Sequence, residues 1–251
     1  MKDHTVQARK YRKLEIISYS IAIFIQILTW FVLYPLAGYN NFTLNIALGT
    51  MFGFGIILMI VFKLGWKRIG LGVQEFKIAF IGFLVASLII FLLLLLARNF
   101  GGEQTLFRTN YRMDAFLSNW LLTAFGEELF FAGVLFTLVS CEFDQKKRWQ
   151  AVMIVAGLFA FWHLPGYLAI GFKMGNLNFG IFLDLLLRFI SWLFFGFMYL
   201  FSGNLWLVVF AHASTDYAIL PAVVNQPIFG VIFMGLLLGY TWIIKRPIRN
   251  Q

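Results

Sequence analysis

A few ionisable residues stand inside long apolar stretches of this chain: Glu127, Glu128, His163, Asp184, Arg188, His212 and Asp216. Their types suit water activation. A carboxylate held out of bulk water is a better base, and with a histidine beside it can take a proton from water. A second histidine, oriented by a carboxylate, can donate a hydrogen bond to a developing oxyanion. Together these are the parts for hydrolysing an amide bond without a covalent intermediate. The same inventory could hold zinc through Glu127, His163 and His212, leaving a fourth position open. HExxH is absent, however, and these ligands would come from three different helices. The metal-free reading therefore ranks first, with no cofactor required and zinc as the lesser alternative. Ser214 lies close to His212 but lacks the strand-turn-helix setting of a nucleophile elbow.

Spacing adds detail. Glu127 and Glu128 are adjacent in Ala124-Phe125-Gly126-Glu127-Glu128-Leu129-Phe130-Phe131. On a helix their side chains diverge by about 100°. Both can border one cavity without pointing the same way, one as working group and one as support. His163 lies four residues after Phe159, on one helix face, and Pro165 marks a kink or an end just beyond. Taken alone, His163 reads as a core histidine joining two helices. His212 and Asp216 are also four apart, so the carboxylate can orient the imidazole. Asp184 and Arg188 share that spacing and read as a self-compensating pair.

The elements that must position these groups are membrane helices. Hydrophobic residues make up 61% of the 251 and charged residues only 12%, against about 25% charged in soluble domains. The mean hydropathy is +0.83. A charge at the centre of a membrane helix costs at least about 2.5–3.5 kcal/mol, so intramembrane acids face cavities and carry function. Taking about 20 apolar residues per span, the sequence gives eight: 15–36, 43–62, 77–97, 114–139, 149–170, 179–201, 204–221 and 227–244. The expectation is an all-α polytopic bundle, a single integral-membrane domain over 1–251 with its motif-bearing core at about 114–221. The apolar stretch from about 15 is too long for a signal-peptide core and reads as a retained first helix.

The net charge of +9 forms no nucleic-acid patch. Lys and Arg cluster at the N-terminus (Lys2, Arg9, Lys10, Arg12, Lys13), at Lys63, Lys67, Arg68 and Lys77, at Lys146, Lys147 and Arg148, and at the C-terminus (Lys245, Arg246, Arg249). With eight spans these segments share one side, and the opposite loops hold only Arg98, Arg108, Arg112 and Lys173. The positive-inside rule makes both termini cytoplasmic. The lone cysteine, Cys141, excludes an internal disulfide and reads as an inert thiol, and His4 reads as a tail residue without a role.

Glu-Glu on one span, Phe159-x-x-x-His163 on the next and His212-x-x-x-Asp216 two spans later resemble the CAAX-protease and bacteriocin-processing family, also called CPBP or Abi. The resemblance covers about 115–220, including the lead-in Asn204-Leu205-Trp206-Leu207-Val208-Val209-Phe210. It implies an intramembrane glutamic endopeptidase. Glu127 would be the general base and His163 its partner in activating water, with Glu128 and Phe159 in support. His212 and Asp216 would form the oxyanion site. An ionised Asp216 cannot donate as the Asn of some relatives does, so its implied task is to orient His212. The family pattern EExxxR ends on Ala132 here, and Arg188 is the candidate to supply the missing cation.

The substrate implied is a peptide or membrane-anchored protein at the cytoplasmic side of a bilayer, with bacteriocin immunity, peptide maturation and signalling as the roles bacterial relatives suggest. The implied location is a bacterial cell membrane. A catalytically inactive scaffold, favoured by Ala132, and a proton-coupled transporter are the rival readings. Inverted-repeat symmetry would favour the transporter, and the sequence has none.

Overall fold

The computed structural model describes residues 16–37, 41–99, 111–175, 180–220, 223 and 227–244. Among them there is no strand. Eight helices follow one another: α1 (Ile16–Leu36), α2 (Asn41–Val61), α3 (Val73–Asn99), α4 (Met113–Ser140), α5 (Trp149–Met174), α6 (Gly180–Ser202), α7 (Leu205–Asp216) and α8 (Pro227–Ile244). Five of them, α1, α3, α4, α5 and α6, are long and apolar enough to cross a membrane. The described apolar stretches in α2 (Gly49–Val61) and α8 (Ile228–Ile244) are shorter. The basic residues at both termini, and His4, lie outside the described residues.

The seventh element departs from expectation. A span over 204–221 was expected, but α7 has 12 residues and stops at Asp216. At 1.5 Å per residue it is about 18 Å long, well short of a hydrocarbon core of about 30 Å. Its limits have local causes. Gly203, at φ 60, breaks the chain after α6, and Asn204 caps α7 by accepting from Leu207 N at 3.2 Å. At the other end Tyr217 leaves helical geometry (φ −143, ψ 77). Pro165 lies inside its helix, as a span over 149–170 requires: α5 runs on to Met174 and closes at Gly175, whose φ of 64 suits glycine.

The chain divides into two compact units, residues 1–63 with 129–196 and residues 64–128 with 197–251. The first unit has an aromatic core. Phe131 of α4 meets Phe159 (4.9 Å between ring centroids) and Trp162 (5.5 Å) of α5, and Phe159 lies 6.3 Å from Trp192 of α6. Glycine allows close approach at Gly55, where a Cβ would stand 3.3 Å from the Leu129 side chain. The Tyr19 hydroxyl donates to Leu158 O at 2.6 Å, tying α1 to α5.

The second unit is built around α7, whose residues Leu205 and Leu207 to Ser214 are buried. Phe210 is its hub, with ring centroids 5.5–6.2 Å from Phe76, Phe80 and Phe83 of α3 and from Trp120 of α4. Polar pins fix both ends of the helix. Besides capping α7, Asn204 donates through Nδ2 to Glu75 O of α3 (2.8 Å), and its own N–H donates to Ser202 Oγ (3.1 Å). Beyond α7, Tyr217 O accepts from Trp120 Nε1 (3.0 Å), and the Tyr217 hydroxyl bonds both the N–H (2.9 Å) and the carbonyl (3.3 Å) of Arg112.

Asn204→Ala removes a cap and leaves a buried carbonyl short of a donor, and should cost about 1–3 kcal/mol, read as a lowered melting temperature in detergent. Asn204→Asp keeps the cap and loses only the donor to Glu75, so it should fall between; wild-type melting for both would remove Asn204 from this account. At Gly70, φ is 78 and a Cβ would stand 2.1 Å from Gly203 O. Gly70→Ala should therefore destabilise strongly. Gly157→Ala, where a Cβ meets nothing within 4 Å, should be neutral or stabilising by up to about 1 kcal/mol in the same melt.

Candidate active site

Glu127 and Glu128 sit in a single α-helical turn of α4, Phe125–Glu128, between two wide-turned stretches, Ser118–Ala124 and Leu129–Phe136. In such stretches bonding runs to the fifth residue back: Phe125 N donates to Trp120 O, and the Thr123 hydroxyl to Ser118 O. Wide turns are rare and often occur at functional positions, because they rotate the residues that follow out of the regular helical register.

Both acids meet His212 of α7. Glu128 Oε1 lies 2.7 Å from Nδ1, and Glu127 Oε2 lies 3.9 Å from Nε2. Asp216, one turn along α7, places Oδ2 3.3 Å from Nε2. The cluster is enclosed: Glu127 is 4% exposed, Glu128 0% and His212 1%. Asp216 is the most accessible member, its side chain 18% exposed at the last residue of α7. Three carboxylates thus surround one imidazole within the second unit. The expected divergence of the two glutamates is realised, one reaching each ring nitrogen.

Two sources of this geometry were not read from the sequence. Glu128 was expected as a support for Glu127, and its bond to His212 was missed, because nothing in one sequence says which nitrogen a distant carboxylate meets. The pins at Asn204 and Tyr217 were also missed. The Asn204 signal was available: an Asn just before an apolar helical run is an N-cap signature.

His163 and Phe159 belong to the first unit. Their rings lie 4.6 Å apart, and Trp162 stands perpendicular to the imidazole at 4.9 Å. His163 Nδ1 is 2.8 Å from Phe159 O. A carbonyl only accepts, so Nδ1 carries a hydrogen. Arg188 is in the same unit, where its Nε donates to the Tyr167 hydroxyl at 3.3 Å, and Asp184 is exposed. Ala132, where the family pattern has arginine, is wholly buried. Cys141 is exposed, outside any disulfide, and its thiol donates to Thr137 O.

Among the described residues, no group of three or more His, Cys, Asp or Glu side chains is arranged to hold a metal ion. The trio Glu127, His163 and His212 draws on both units.

Comparison with known proteins gives one family. The model described as type II CAAX prenyl endopeptidase Rce1-like matches residues 85–218, more than half of the chain and every motif residue from Glu127 to Asp216. No curated protein and no solved structure matched. With five helices long and apolar enough to cross a bilayer, the chain is an integral membrane protein of a protease family: it belongs to the Rce1-like type II CAAX prenyl endopeptidases.

Proposed function

We propose that this protein is an intramembrane glutamic endopeptidase that hydrolyses a peptide bond of a peptide or membrane-anchored protein through an activated water. The observation that carries the reading is the enclosed cluster in which His212 meets Glu127, Glu128 and Asp216, in a member of this protease family. Glu127 takes a proton from water, with His163 as its partner, and the water oxygen attacks the scissile carbonyl carbon. The oxyanion accepts a hydrogen bond from His212, which Asp216 orients. The tetrahedral intermediate collapses as the C–N bond breaks, and the leaving nitrogen takes the proton. Charge develops on the substrate oxygen inside an enclosed site, where a fixed donor is worth more than in water. No cofactor is assigned.

A prenylated C-terminal peptide is one substrate class, by the family's description. Unmodified secreted peptides, as in bacteriocin immunity, maturation or signalling in a bacterial membrane, are the other. The Lys and Arg clusters support a cytoplasmic location for both termini, an arrangement that requires the chain to cross once more around the short α7. Ala132 supports one rival, an inactive scaffold that binds membrane partners.

The purified protein in liposomes is offered prenylated and unmodified peptide libraries. Glu127→Ala and His163→Ala should each lower kcat/KM by about 10²–10⁴-fold. Cleavage that survives both changes would sink the assigned roles, and no cleavage of any peptide by the wild type would favour the scaffold. A chelator should leave the rate unchanged; a loss restored by added zinc would move the mechanism to metal. Topology is checked separately, by reporter fusions at each terminus. Both should report the cytoplasmic side, and a split result would overturn the orientation.

A further inference from the structure

The contacts of His212 set a proton count that the peptidase reading leaves open. Two of its ring nitrogens' contacts are at hydrogen-bond or close ion-pair range: Nδ1 to Glu128 Oε1 at 2.7 Å and Nε2 to Asp216 Oδ2 at 3.3 Å. An ionised carboxylate only accepts, and a neutral imidazole has a single N–H. A neutral His212 between ionised Glu128 and Asp216 could satisfy one contact and would repel the other lone pair to lone pair. The row Glu128–His212–Asp216 therefore needs two protons. If Glu128 takes the Nδ1 hydrogen of a neutral ring, Nε2 is bare and cannot donate to an oxyanion.

We infer that His212 is held as a doubly protonated imidazolium by Glu128 at Nδ1, so that Nε2 keeps a hydrogen that faces Asp216 at rest and that an oxyanion would accept, and that Glu128 is a positioning residue that makes His212 a charged donor. This deepens the peptidase reading and rests on it for the role of Nε2.

Three observations besides the distances support it. Glu127 Oε2 adds a further carboxylate oxygen 3.9 Å from Nε2. His212 lies one turn from the end of α7, where the helix dipole favours a cation. α3 faces α7 with the rings of Phe76, Phe80 and Phe83, and α8 has no charged residue.

The chain has three histidines, His4, His163 and His212, which makes a direct measurement possible. The full chain carrying His4→Gln and His163→Gln is labelled with ¹⁵N-histidine and reconstituted in liposomes, so that its solid-state spectrum reports His212 alone. Protonated and bare ring nitrogens resonate in separate ranges. The expected result at neutral pH is two protonated nitrogens. Adding Glu128→Gln should leave one nitrogen bare. In the otherwise wild-type chain, Glu128→Gln should lower kcat about tenfold or more, with KM changed less than about twofold, as for loss of a partner that orients a working imidazole. A bare nitrogen on His212 with Glu128 intact overturns the inference, and so does an unchanged kcat in a folded Glu128→Gln protein. The spectrum with Glu128 intact decides even if Glu128→Gln does not fold. Absence of cleavage by the wild type is a separate failure: it would remove the peptidase reading while the nitrogen count still stands or falls on the spectrum.

Discussion

The bond between Glu128 and His212 is the interaction on which the candidate site depends. It joins α4 to α7 through two fully enclosed side chains, 2.7 Å apart. In apolar surroundings neither partner would be tolerated alone, because a buried charge without a counter-charge costs several kcal/mol. Each therefore fixes the other. Removing one would leave an uncompensated group in place, a larger penalty than the net contribution of the pair. The same logic keeps Glu127 and Asp216 within ion-pair range of the single imidazole.

Holding that bond requires α7 to be placed within tenths of an ångström, and the second unit supplies the means at both ends of the helix. Asn204 bonds to α7 itself, to α3 and to the end of α6, while Tyr217 and Trp120 tie the far end to α4. Between these pins Phe210 packs on rings from α3 and α4. The pins are backbone-directed, so they set the helix's height and rotation. The rings fill space without directional demands. A short helix suits this role: at 12 residues it ends inside the unit, and its last turn brings Asp216 to a partly accessible position beside His212.

The two histidines are prepared differently. His163 gives its Nδ1 hydrogen to a carbonyl of its own helix. His212 faces carboxylates at both nitrogens. The two rings thus meet different surroundings, although a sequence prints the same letter for both.

Composition and the lengths of the apolar runs alone determined the helical class, the order of the eight helices among the described residues and the presence of acids and histidines within apolar stretches. The bilayer imposes these directly: a chain with so few charges must satisfy its backbone within helices. Residue order also carried the family, since the Glu-Glu, Phe-x-x-x-His and His-x-x-x-Asp pattern falls inside the matched stretch, residues 85–218. Hydropathy averaged over a whole span does not register that α7 stops at Asp216, because the polar Ser214-Thr215-Asp216 is followed at once by the apolar Ala218-Ile219-Leu220, and a tyrosine's hydrogen bonds hold the end. Least of all could it assign Glu128 to His212. They are 84 residues apart, and only tertiary packing decides which carboxylate meets which nitrogen, through a contact whose existence depends on the rotation of two helices about their own axes.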